Sequence, residues 1–106
     1  MSNKQSMHMK GYVLQLFADR GPLWTDAVID AVEAEYGVSG PYWRGTVRLT
    51  LVDLYAGGLL SEQEATVDPE RTQGEERVLF KYALTDFGRE RMAQSGLATN
   101  RGGVPA

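Results

Sequence analysis

The stretch Leu54-Tyr55-Ala56-Gly57-Gly58-Leu59-Leu60 is where the chain changes its periodicity. Upstream of the glycines, Val47, Leu51 and Leu54 recur at spacings of three and four, the repeat of a helix with one buried stripe. Downstream, Val78, Phe80, Tyr82 and Leu84 alternate with Leu79, Lys81 and Ala83, the period of a strand with one buried face. Leu59 to Thr66 is the expected partner strand. Between the two strands, Val67 to Glu75 is polar and broken by Pro69 and Gly74, so the pair reads as a hairpin with a long mobile tip.

Two helices are expected before the stretch and one after it. Met7 to Arg20 carries Met9, Val13, Leu16 and Phe17 on one stripe and ends at Gly21-Pro22. Thr25 stands as a cap before Asp26, and Val28, Ile29, Val32 and Tyr36 repeat at helical spacing up to the stop at Gly37. The third helix opens on Ser39-Gly40-Pro41, a cap followed by a first-turn proline. After the hairpin, Thr85 caps a short helix with Phe87, Arg91 and Met92, closed by Gly96. The organisation read from this is an N-terminal segment over residues 1–9 partly extending the first helix, a folded domain over 10–95, and a disordered tail over 96–106.

Three helices followed by a two-stranded hairpin and a short last helix predict an α+β, mainly α, winged helix-turn-helix fold. The residues also resemble a known family. Leu54-Tyr55-Ala56-Gly57-Gly58-Leu59-Leu60 and Tyr82-Ala83-Leu84-Thr85-Asp86-Phe87-Gly88-Arg89 are similar to the PadR-like transcriptional regulators, whose third helix ends in Leu-x-x-x-Gly-Leu and whose second wing strand runs into Tyr-x-Leu-Thr-x-x-Gly-Arg. The resemblance covers about Lys10 to Met92 and implies a dimeric, repressor-type DNA binder with its third helix in the major groove. It departs in the last helix, which here stops near Ser95-Gly96 where family members continue into a long dimerisation arm.

Composition narrows the chemistry. The 106 residues are 42% hydrophobic and 24% charged, the range of an ordinary folded domain. Cysteine is absent and His8 is the one histidine, so no disulfide, thiolate nucleophile, metal site or cofactor is expected. No Gly-rich phosphate loop, paired histidines or nucleophile with a histidine base is present, and the chain reads as a non-enzyme. No run reaches the roughly 20 apolar residues that span a bilayer, and Met1 to Lys10 lacks a signal-like apolar core. A cytoplasmic protein with no membrane partner is expected. The net charge of −3 disfavours indiscriminate nucleic-acid coating yet permits a local basic face.

That face is expected on the third helix and the hairpin. With Val47, Leu51 and Leu54 buried, Tyr42, Thr46 and Arg48 point to solvent and Arg44 lies at the edge of the buried stripe. Arginine can grip guanine edges or phosphates, and threonine and tyrosine hydroxyls reach phosphate oxygens. Arg71, Arg77 and Lys81 are expected to meet phosphates from the hairpin, with Thr72 and Gln73 adding hydrogen bonds at its tip. Asp68, Glu70, Glu75 and Glu76 crowd the same tip, so a solvated hairpin without DNA contact is the competing reading. Trp43 is read as core. Leu49 and Val52 project from the side where a DNA-reading helix carries polar groups, so either the helix is rotated from this placement or something covers them.

The expected function is sequence-specific binding of double-stranded DNA by a homodimer, as a transcriptional regulator of repressor type. A role in replication or partition, and a winged-helix protein-interaction module, are the alternatives. If Arg44, Arg48, Arg77 and Lys81 each meet a phosphate, a dimer neutralises about eight, for a log–log salt slope near −7.

Overall fold

The computed structural model describes residues 2–72 and 74–96, and side chains from residue 9 onward except residue 73. The element order is α1 (Ser2–Arg20), β1 (Leu23–Trp24), α2 (Thr25–Tyr36), α3 (Pro41–Ala56), β2 (Leu60–Val67), β3 (Val78–Leu84) and α4 (Asp86–Gln94). The described residues form a helix-rich α+β fold of four helices and one three-stranded antiparallel sheet, ordered β1-β3-β2. Of the expected tail over 96–106, residues 97–106 lie outside the described residues, as do Gln73 and the side chains of Met7 and His8.

The core gathers the expected stripes. Val13, Leu16 and Phe17 of α1, Val28, Ile29 and Val32 of α2, and Val47, Leu51 and Leu54 of α3 are all buried in one cluster with Leu60, Tyr82 and Met92. Burying each large apolar side chain stabilises the fold by roughly 1.5–3 kcal/mol relative to its exposure, so these stripes fix how the helices face one another. Tyr12 ties α1 to α2 through its hydroxyl, which donates to the Ala31 carbonyl at 3.3 Å. Trp43 is partly buried against the cluster, as its position at the foot of the α3 stripe predicts.

β1 has no sequence signal, because two residues are too few to show a period. Its pairing is antiparallel to β3, Leu23 opposite Tyr82 and Trp24 opposite Lys81. Thr25 explains why the chain runs straight from strand to helix. Its buried hydroxyl donates to the Phe80 carbonyl at 3.1 Å and accepts from the Phe80 amide at 3.3 Å, locking α2 onto β3. Thr25 is thus a cross-link and not the cap that its place in the sequence suggests; Trp24 holds the cap position, without a side-chain cap hydrogen bond. At α3 the cap is Gly40, in the positive-φ region at 107°, with Pro41 following; Ser39 makes no cap.

Alternation in β3 is also incomplete. Tyr82 is buried, but so is Leu79 on the other face, at 1% exposure, while Val78 is 44% exposed. Leu79 borders a small cavity with Ile29 of α2 and with Arg71 and Thr72 of the hairpin tip, so the tip covers it. β2 is an edge strand, with exposed Glu62 and Glu64 and a register shift between them. Charge and a bulge at a sheet edge both oppose pairing with another chain.

Thr85 shapes the exit from the sheet. Its hydroxyl donates to the Gly58 carbonyl at 2.7 Å and accepts from the Gly88 amide at 2.9 Å, capping α4 as expected.

Candidate functional site

The hairpin tip folds back on the body. Arg71 donates from Nε to Asp26 Oδ2 at 2.7 Å and from a terminal nitrogen to Asp26 Oδ1 at 2.8 Å, and its guanidinium lies 5.0 Å from the centre of the Trp24 ring. Such a two-bond fork is the strong form of an arginine–carboxylate pair. It holds the Asp26 carboxyl below the usual aspartate range, mainly through the Arg71 hydrogen bond. Thr72 is 2% exposed, and its hydroxyl donates to the Glu75 carbonyl. Where the sequence suggests a tip extended towards DNA, the structure places Arg71 and Thr72 against the body of the fold. Asp26 captures the arginine, and burial withdraws the threonine.

Lys81 is displaced from the expected surface for another reason. Its ammonium lies 3.5 Å from Glu64 on the neighbouring strand. The strand's period of two puts it on the face opposite Val78, Phe80 and Tyr82, away from α3.

The remaining cations converge. Arg44 and Arg48 of α3 and Arg77, the residue before β3, border one groove of about 590 Å³ between α3 and the hairpin. Arg77 is paired with Glu75 at 2.9 Å, an exposed ion pair. Arg44 and Arg48 have no ion pair with any described residue. Arg48 is half-buried, not turned fully to solvent, and its Nε is shielded without a hydrogen-bond partner among the described residues. Burial, then the like charge of Arg77, holds its guanidinium below the ordinary arginine value, against a smaller pull from Glu75. Conversely Glu75 is pushed below the ordinary glutamate range, first by the Arg77 hydrogen bond and charge, and further by Arg48 and Arg44. The four charges form one cluster with an excess of two positive. Of the four carboxylates that the sequence places around the hairpin tip, Glu75 is the one that joins this cluster.

Compared with known protein families, curated proteins and solved structures, the chain finds no match.

Tyr42 stands at the start of α3, 72% exposed, its ring edge-on to Trp43 at 5.1 Å. Thr46 is half-buried and donates its hydroxyl to the Tyr42 carbonyl at 2.9 Å, leaving its lone pairs as what it can offer a ligand. The rest of the groove is apolar. Leu49 and Val52 of α3 and Val78 of β3 line it at 65%, 49% and 44% exposure, and Phe80 and Tyr82 belong to the same lining. The Phe80 and Tyr82 rings lie 5.9 Å apart, and Tyr55 continues the row at 5.9 Å from Tyr82. Nothing among the described residues covers Leu49 and Val52.

A second, smaller cavity of about 230 Å³ lies behind the arginines, bordered by Asp26, Glu33 and Arg48 among others. Glu33 Oε2 is buried there without a hydrogen-bond partner among the described residues. Among the described residues no group of three or more His, Asp or Glu is placed to hold a metal ion, and no helix is long and apolar enough to cross a membrane.

Proposed function

We propose that this chain is a winged helix-turn-helix protein that binds double-stranded DNA as a homodimer and acts by binding, without catalysis, as a repressor-type transcriptional regulator. The order of elements supports the fold reading: α2 and α3 are consecutive helices, and the β2–β3 hairpin stands beside α3 as a wing would. The resemblance to PadR-like regulators in residues 54–60 and 82–89 points the same way.

One observation carries the function: Arg44 and Arg48 from α3 and Arg77 from the hairpin meet along one groove, in a molecule whose net charge is −3. Concentrating cations on one face of an acidic protein orients it towards a polyanion and disfavours other faces. In this reading Arg44 and Arg48 supply base-edge or phosphate contacts, Arg77 a phosphate contact, and Tyr42 and Thr46 flank the first turn. Arg71, Thr72 and Lys81 serve the fold and hairpin instead.

The test is duplex binding to fragments of the source genome with Arg44 and Arg48 both replaced by alanine. Affinity should fall at least about tenfold for each guanidinium lost from a direct contact, with an unchanged circular dichroism spectrum. A variant that binds as tightly as the parent would refute the reading, as would a parent that retains no duplex at low salt.

A further inference from the structure

The apolar half of the groove has no part in the DNA reading. A duplex offers few apolar groups beyond thymine methyls, yet Leu49, Val52 and Val78 are exposed along the same groove as the three arginines. From the chemistry of that lining we propose that the groove between α3 and β3 also receives an acidic amphipathic helix of a partner protein, which excludes DNA by taking the same arginines.

The dimensions fit such an occupant. Along α3 the lining runs from Pro41 to Val52, about 16 Å at the helical rise. Along β3 it runs from Val78 to Tyr82, about 13 Å at the strand rise. A groove of that length takes roughly nine to eleven residues of helix, two and a half to three turns. Apolar anchors at i, i+3, i+4 and i+7 would lie between Leu49 and Val52 on one side and Val78 and Phe80 on the other. Carboxylates beside the anchors would meet Arg44 and Arg48, which lack an ion-pair partner among the described residues, and would compete with Glu75 for Arg77.

Charge complementarity also selects among occupants. In a two-fold pair of this chain sharing the groove, the same patch would be used twice, and its lining brings three arginines against the single carboxylate of Glu75 from each copy, leaving the positive charge uncompensated. A small molecule seated on the Phe80–Tyr82 floor would leave Leu49, 65% exposed, still in water. A helix with an apolar stripe and acidic flanks satisfies both halves of the lining.

Docking does not rest on the DNA reading, whereas exclusion does, and the experiment separates them. The probe is a fluorescein-labelled synthetic helix of about 14 residues with leucines at i, i+3, i+4 and i+7 and flanking glutamates. Anisotropy with the full chain should show saturable one-to-one binding. Leu49→Ser with Val52→Ser, both exposed and neutral to folding, should weaken it at least about tenfold, and so should Arg44→Ala with Arg48→Ala. A scrambled peptide of the same composition should bind at least about tenfold more weakly. Equal binding by the scrambled peptide, or by the serine variant, would overturn the docking claim, as would an absence of binding. In the second arm, peptide at saturation should release a bound duplex. Coexistence of peptide and duplex would overturn exclusion alone. A chain that binds peptide but never DNA would sink the proposed function and leave docking intact.

Discussion

At Gly88 the start of α4 passes so close to the end of α3's loop that a single methyl group decides the packing. A Cβ placed there would fall on the Leu59 carbonyl oxygen and within 2.7 Å of Leu84 Cδ1. The obstacle is backbone and cannot rotate away, so Gly88→Ala should destabilise by about 1–3 kcal/mol, lowering Tm by several degrees. Gly45, in the body of α3, meets nothing within 4 Å, so Gly45→Ala should gain up to about 1 kcal/mol from helix propensity. Thermal melts of the two variants moving in the same direction would contradict this account. The sequence made part of this scale legible: Thr85 two residues before Phe87 announced a cap, and the cap is present. It misread Thr25, because a threonine before an acidic helix start looks the same whether its hydroxyl caps the helix or crosses to a strand 55 residues away.

Among elements, periodicity exposed those long enough to repeat. α2, α3 and α4 follow from their apolar spacing and stop signals, and β3 from its alternation, whereas β1 is too short for either. The hairpin tip was illegible because what orders it is a pair of charges 45 residues apart, Arg71 and Asp26. That clasp gives the tip a pH signature. Folding lowers the Asp26 pKa, so its contribution is fully present above the unfolded aspartate value near 4 and is lost as pH falls through the depressed folded value. Both partners are partly exposed, 34% and 26%, so Arg71→Ala should reduce stability at neutral pH by only about 1–2 kcal/mol. The gap between parent and variant should narrow below about pH 4, and Trp24 emission should change at all pH values as the stacked guanidinium disappears. Denaturation curves showing a gap that stays constant down to pH 2 would place the stabilisation in packing on Trp24 instead of in the ion pair.

For the molecule as a whole, the decisive quantity is how many cations act together. The sequence suggested four per copy; the structure brings three to one groove and sends Lys81 to the opposite sheet face, paired with Glu64. Freeing Arg77 from Glu75 breaks an exposed ion pair, which costs little, so all three can be counted. With about 0.9 counterion released per neutralised phosphate, one copy should give a log–log salt slope near −3 and a symmetric pair a slope near −5. Measuring the slope beside the solution mass therefore tests stoichiometry and surface together. A dimeric mass with a slope near −5 supports two grooves on one duplex, and a dimeric mass with a slope near −3 means that only one groove engages. Removing Arg44 and Arg48 should then flatten the slope by about two units per engaged copy. If affinity drops while the slope holds, the two arginines are not meeting phosphates and act on base edges instead.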